Sequence, residues 1–321
     1  MKYARVKRNR LCTMRDRTAL LLCLGSFLFG CMLTLNLIAL DSAAKPKKQS
    51  ELTSSEQQNL LIVLVLSKPE NYAQRNVIRE TWASEAADDA VCLFVLGKGG
   101  DKNHLRHEVK QFDDLLFVDV QDRYDSLTTK VLQAFEKVTS HYNYRFLLKC
   151  DDDSFVRLSA LKTELQTASS PLYWGYFRGD ARIKTSGKWR ETKWDICDRY
   201  LPYAHGGGYV LSSDLVSFLA RNVQMWRRFN SEDISVGTWL AAVEARRRHD
   251  RRFDTEHRSR GCSNSYLVTH KQSPEQMKAL WRQLKEKGKM CETEETLVPG
   301  FEYNWNVPPS KCCNRAGDGG I

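Results

Sequence analysis

Residues 144–156 read YRFLLKCDDDSFV, an apolar run that stops at three adjacent aspartates. Tyr144, Phe146, Leu147, Leu148 and, more weakly, Cys150 predict a strand buried on both faces. Asp151, Asp152 and Asp153 repel one another, so a fold can group them only where water or a cation neutralises them. In open α/β sheets, ligands bind beyond the carboxyl ends of the strands, where this triplet would lie. A hard divalent cation prefers oxygen ligands and can in turn hold a diphosphate. Alone, the triplet reads equally as a solvated acidic turn.

The surrounding pattern supplies the sheet. Strands are predicted at 60–66, 91–96 and 115–120, with helices at 73–84, 101–112 and 127–142 between and after them. Strands alternating with helices imply an α/β domain, its sheet mostly parallel and flanked by helices on both faces. Further strands are expected at 173–177, at 206–211 (entered through three glycines) and at 266–270, with helices at 212–221 and 234–243. A last helix, 273–288, is signalled by Ser273 as cap, Pro274 in the first turn and one apolar face of Met277, Leu280, Trp281 and Leu284. No internal repeat is visible.

Charge and cysteines bound the setting. The net charge of +10 suggests a nucleic-acid binder until it is located: residues 1–18 hold seven basic residues against Asp16 alone. Only +4 is left for the other 303 residues, so nucleic acid is not an expected partner. Residues 19–40 carry no charge, and 22 residues at about 1.5 Å each reach roughly 33 Å, enough to cross a bilayer. The basic flank keeps the first 18 residues cytosolic. The predicted organisation is a tail at 1–18, a signal anchor at 19–40, a luminal stem at 41–58 and a catalytic domain at 59–321. Cleavage after residues 42–44, Ser-Ala-Ala, is the competing reading of the apolar segment. Seven cysteines follow the span, an odd number. Cys262, Cys291, Cys312 and Cys313 lie in polar sequence that suits disulfides in an oxidising lumen, whereas Cys92 and Cys150 read as buried thiols. There is no C-x-x-C pair and no N-x-S/T sequon.

Five motifs stand in one order: R-x-x-x-R-x-T-W (Arg75, Arg79, Thr81, Trp82), D-x-Y…L-T-x-K (Asp122, Tyr124, Leu127, Thr128, Lys130), the aspartate triplet, GGGYVLS (206–212) and EDISVG (232–237). In this order they resemble the β-1,3-glycosyltransferases of glycosyltransferase family 31, across the whole predicted luminal domain. WGYF (174–177) and FDTEHRSRGCSNSYLVTHKQS (253–273) resemble the branch that galactosylates the Gal-Xyl-Ser primer of proteoglycans. The resemblance implies a GT-A-like transferase for nucleotide-diphospho-sugars, UDP-galactose as donor and inversion at the transferred carbon. It further implies a Golgi membrane, core proteins carrying Gal-Xyl as partners, and complexes with other linkage-region transferases.

Carried onto this chain, the resemblance makes Asp153 a direct metal ligand and gives Asp151 and Asp152 to the donor nucleotide. Carboxylate and phosphate oxygens suit Mn²⁺ or Mg²⁺ better than Zn²⁺, and His270, as an imidazole ligand, favours Mn²⁺. Asp233 is assigned the catalytic base; without the resemblance, Glu232 and Asp233 are acids matched to a helix dipole. Arg75, Arg79 and Lys130 are candidate diphosphate contacts or helix-face ion pairs. Gly207 lets a ligand approach the backbone, and Glu232 orients the acceptor. Trp174, Tyr176 and Trp194 are candidates to stack on sugars, or core. One departure is Ser126, where the family pattern has Asn. The alternatives are a sibling N-acetylglucosaminyltransferase and a catalytically silent luminal lectin or chaperone; the intact Asp153 and Asp233 argue against the silent relative.

Overall fold

A computed structural model describes residues 58–315 except Asp88 and Asp101, together with Ser26 and Met32, both helical. The predicted tail, signal anchor and stem otherwise lie outside the described residues. Among the described residues, no helix is long and apolar enough to cross a membrane.

The apolar runs become the centre of a seven-stranded sheet. β1 (Asn59–Leu66), β2 (Ala90–Lys98), β3 (Leu115–Gln121) and β4 (Tyr144–Asp151) are followed by β6 (Leu172–Arg178), β7 (Tyr203–Ser212) and β8 (Arg246–His249), in the order β3-β2-β1-β4-β7-β6-β8. A short β5 (Phe155–Val156) joins β9 (Phe253–Asp254) and β11 (Val268–Thr269) in a separate three-stranded sheet, and β10 (Gly261–Cys262) pairs with β12 (Glu295–Thr296). β3, β2, β1 and β4 are parallel; β7 is antiparallel to both β4 and β6, while β8 is parallel to β6. The sheet is therefore mostly parallel, with one reversed strand.

Within residues 58–315 seven α-helices accompany it: α1 (Tyr72–Glu80), α2 (Lys102–Gln111), α3 (Leu127–His141), α4 (Leu158–Gln166), α5 (Ser213–Arg221), α6 (Glu232–Trp239) and α7 (Pro274–Lys287). Alternation along β1 divides the core: Leu61, Val63 and Val65 face residues of α1, α4 and α7, while Ile62 and Leu64 face α3, α5 and α6. Both faces are covered, which explains why β1 reads as an unbroken apolar run and β4 as an apolar run broken only at Arg145 and Lys149. α7 carries its predicted signals: Ser273 and Gln276 form a reciprocal capping box, and Gly288 closes the helix with φ 67°. α4 was not expected, because a nine-residue helix with three buried leucines (Leu158, Leu161 and Leu165) presents too short a pattern. The strand expected at 266–270 is reduced to Val268–Thr269.

β1 has β2 on one side and β4 on the other, so strand order reverses between β1 and β4, and their register sets Leu66 beside Asp151. A crevice beyond strand ends at such a reversal is where α/β sheets bind ligands. At the far edge, the arginines of β8 are tethered: Arg246 donates to Ser169 O, Arg247 to Leu240 O, and Arg248 pairs with Glu164. These charges mask a sheet edge and leave no free polybasic strip there. Cys262 is disulfide-bonded to Cys291 and Cys312 to Cys313; Cys92, Cys150 and an exposed Cys197 are free.

Candidate active site

The three aspartates point in three directions. Asp151, at the end of β4, takes a hydrogen bond from Lys149 Nζ at 2.9 Å. Asp152 turns toward β1, accepting from Ser67 Oγ (2.7 Å) and Asn71 Nδ2 (2.8 Å), and so fastens the exits of β1 and β4 together. Asp153 accepts from Lys271 Nζ at 2.9 Å, and its Oδ1 lies 2.8 Å from His270 Nε2; that nitrogen is also 3.4 Å from Asp151 Oδ2. His270 reaches this point because the residue after β11 bonds back to Asp254 O (2.9 Å), and the chain then turns through Lys271 at φ 66°.

Asp151, Asp153 and His270 bring one ligand atom each within 4.8 Å of one another. Asp153 Oδ1 is buried and, though close to the imidazole, is not in line for a hydrogen bond. His270 Nδ1 lies 3.3 Å from Glu256 O, a contact that holds the proton on Nδ1 and directs Nε2 at the carboxylates. This donor set fits a hard or borderline divalent ion. In its absence burial opposes the imidazolium, but the two carboxylates outweigh that and raise His270 to about 9. Burial likewise opposes the Asp151 and Asp153 anions. Lys149 and His270 hold Asp151 well below the usual carboxylate range, and His270 lowers Asp153. Asp152 goes the other way: burial raises it against the help of Asn71 and Ser67.

Helix α6 lies across a strip free of side chains. A Cβ on Gly206 would stand 3.2 Å from Glu232 Oε1 and 3.3 Å from Asp233 Oδ2; one on Gly207 would stand 2.7 Å from the His270 ring. Gly206 and Gly207 thus separate the carboxylates of α6 from the His270 cluster by the thickness of a bare strand. Asp233 is half-buried, accepting from Gly206 N (3.0 Å) and Ile234 N (2.9 Å). Burial raises its pKa, and Lys149 restrains the rise.

Lys149 joins the two sides, and sequence reasoning missed it. Its ammonium is 1% exposed; it donates to Asp151 and, at 2.6 Å, to Gly206 O, and it forms an ion pair with Glu232. Burial alone would discharge it, but Asp151 and Glu232 carry it well above an ordinary lysine. Glu232, whose other oxygen accepts from Tyr209 Oη (3.0 Å), is pushed up to about 7 by burial in spite of Lys149. One signal was visible: a lysine inside the apolar run Phe146–Cys150.

Several predicted contacts are already occupied inside the protein. Arg75 is fully buried, clamped on Glu108 (2.7 and 2.6 Å) and donating to Ser67 Oγ (3.1 Å) and Pro69 O (3.2 Å). Arg79 bridges Glu108 and Asp114. Lys130 pairs with Asp122 and donates to Ser67 O. All three brace the loop after β1 or its supports, so their charges are neutralised within the fold. Trp174 is buried against Phe253 with Nε1 on Asp250 (3.0 Å), and Tyr176 is buried among His205, His249 and Phe301. Neither can stack on a sugar in this structure. Trp194 is half-buried, with Nε1 on Cys197 O at 2.7 Å. Glu232, 3% exposed, faces Lys149 and offers an acceptor no surface. Gly207 remains at the strip, and Ser126 donates to Asp125 (3.3 Å) without capping α3.

Against known proteins, a family model described as galactosyltransferase matches residues 73–251, which hold the aspartate triplet, the glycine strip and Asp233 but stop short of His270. Beta-1,3-galactosyltransferase 6 of Mus musculus is 44% identical over 268 residues, 79% of this chain and 82% of that protein. UDP-GalNAc:beta-1,3-N-acetylgalactosaminyltransferase 2 of Xenopus tropicalis is 30% identical over 194 residues, 60% of this chain and 39% of the longer protein. A mannosyltransferase from Pyrobaculum calidifontis, solved with GDP-Man and Mn²⁺, aligns over 72% of this chain and 66% of its own at 14% identity. Its TM-score of 0.37 is too low to carry an argument.

Two expectations follow from this geometry. Arg75→Met leaves Glu108 buried with half its counter-charge and should lower stability by about 3–5 kcal/mol in chemical denaturation; a loss under about 1 kcal/mol would show that the clamp is dispensable. The raised His270 pKa makes its contribution to the metal-free protein complete below its unfolded value of about 6.5. That contribution is lost as pH rises through about 9. His270→Gln should therefore flatten this part of the stability profile, and identical profiles for variant and wild type would refute the assignment.

Proposed function

The chain belongs to the galactosyltransferase family and is a hexosyl-transferring enzyme, and from that premise we propose that it moves galactose from UDP-galactose to a β-1,3 linkage on the galactose of Gal-Xyl-Ser primers. The observation that carries this reading is the placement of Asp233 and the His270 cluster on either side of the bare Gly206–Gly207 strip. A leaving diphosphate and an attacking hydroxyl must approach one anomeric carbon from opposite sides, and the strip is thin enough for both groups to reach it. A GT-A-like reading of the fold is supported by the crevice where strand order reverses between β1 and β4.

In the proposed reaction, Asp233 takes the acceptor hydroxyl proton as the oxygen attacks the anomeric carbon. The bond from that carbon to the diphosphate breaks, UDP leaves with the electron pair, and the configuration inverts. Burial strengthens Asp233 as a base, and bonds from Gly206 and Ile234 fix its oxygens. Lys149 holds Asp151 and Glu232 in place, so neither competes for that proton. Asp151, Asp153 and His270 would hold Mn²⁺, which when bound supplies Lewis-acid stabilisation of the diphosphate. Lys271, half exposed beside Asp153, adds a cation on the open side of the cluster. We read residues 19–40 as the anchor that holds this domain in the Golgi lumen, where proteoglycan core proteins carry the primer.

Asp233→Asn should cut turnover at least about 10²-fold while leaving UDP affinity intact; undiminished turnover would remove Asp233 as the base. Incubated with a β-galactosyl-xyloside and separate UDP-sugars, the enzyme should transfer only galactose. A chelator or Asp153→Ala should abolish both transfer and UDP binding measured by calorimetry. Transfer of another sugar, or binding that survives the chelator, would contradict the donor or the metal respectively.

A further inference from the structure

With Trp174 and Tyr176 buried, any aromatic surface for the acceptor must come from elsewhere. Of the eight tryptophans in the chain, only Trp189 and Trp305 are among the exposed large apolar residues, at 42% and 44%. Trp305 is stacked on Tyr303 at 3.9 Å, with the edge of Phe177 also against it. Trp189 meets only the edge of His257, ring centres 6.4 Å apart, among the described aromatic rings.

Its position is held firmly. Trp189 sits in a turn between Gly187, at φ 75°, and Arg190, whose N–H returns to Gly187 O at 3.1 Å. The next residues dock on the segment leading into the base helix: Asn230 Nδ2 donates to Arg190 O (2.8 Å), and Asn230 N donates to the Glu191 carboxylate (2.8 Å). Glu191 is buried and also takes the N–H groups of Thr192 and Lys193. Lys188, beside Trp189, stands 5.7 Å over the ring of Tyr124, whose hydroxyl bonds Ser231, the N-cap of α6. On the other side, His257 follows Glu256, whose carbonyl faces His270 Nδ1. The Lys188–Trp189 pair therefore spans from the wall that carries Asp233 to the wall that carries His270.

We propose that Trp189 is an acceptor-binding platform, its indole face stacking on a pyranose ring of the acceptor glycan. A pyranose has an apolar C–H face and a polar rim; an indole offers a large, rigid, apolar face at little cost in side-chain entropy. A turn pinned to α6 keeps that face at a fixed height relative to Asp233, so stacking sets which hydroxyl reaches the base. This proposal rests on the glycosyl-transfer reading above and adds to it the residue that selects the acceptor.

Full-length Trp189→Ala and Trp189→Phe proteins test it, with a β-galactosyl-xyloside and UDP-galactose. Trp189→Ala should raise the acceptor KM about 10-fold while leaving kcat and the KM for UDP-galactose within about twofold, and Trp189→Phe should recover most of the loss. An unchanged acceptor KM, or an equal rise in both KM values, overturns the platform. Binding of the glycoside alone, followed by tryptophan emission, separates this proposal from the reading beneath it. If the wild type fails to transfer galactose, that reading falls; quenching by the glycoside that is lost in Trp189→Ala still supports the platform, and equal quenching in both proteins overturns it.

Discussion

One buried ammonium holds the site together. Lys149 stands among Asp151, Glu232 and the carbonyl of Gly206; without it Glu232 would be buried with no counter-charge and Asp151 would keep only His270. Buried ion pairs of this kind contribute little net stability, because desolvating the charges costs about as much as their attraction returns. What they fix is geometry. Lys149 reaches from β4 to the first turn of α6, so Asp151 and the carboxylates of α6 keep a set relation.

A second tier of charged residues does the same for the loops. Arg75 and Lys130 both grip the Ser67 region, Asp122 takes the N–H of Gly97 at 2.6 Å, and Thr128 bonds Phe229 O at 2.7 Å. Arg75, Lys130 and Asp122 hold the exits of β1 and β2, and Thr128 ties the first turn of α3 to the segment before α6. The polar motifs ahead of the triplet therefore act as braces, and little of their charge is left for a ligand. This explains how the crevice can carry many basic residues nearby while its accessible chemistry is left to acids, one histidine and Lys271.

Much of the framework was legible in the sequence. The apolar runs at 60–66, 91–96 and 144–150 gave buried strands because a strand covered on both faces cannot alternate, and an abrupt end in acids marks the rim of a sheet. Asp153 and Asp233 stand in the ordered motifs and His270 in a stretch of family resemblance; all three lie around one glycine strip, and their roles remain part of the proposed reaction. Less legible were residues whose role depends on partners far along the chain. Arg75 and Arg79 resemble phosphate ligands until Glu108 and Asp114 are seen beside them, and Trp174 resembles a sugar platform until Asp250 takes its indole nitrogen. Trp189 is assigned no role by the sequence, because an exposed loop tryptophan has no periodicity to mark it.

By itself the sequence determined which segments are buried, where the sheet ends and which titratable residues stand at that end. Those properties are local: they follow from hydrophobic period, from the repulsion of adjacent charges and from the absence of side chains at Gly206–Gly208. Tertiary structure alone decided which charges are free and which are neutralised, that β7 runs against its neighbours, and that Lys149 links the two carboxylate groups. The physical reason is separation along the chain. Lys149 and Glu232 are brought into contact by sheet pairing between β4 and β7 together with the packing of α6 on β7, and no local pattern in either segment encodes the distance at which they meet.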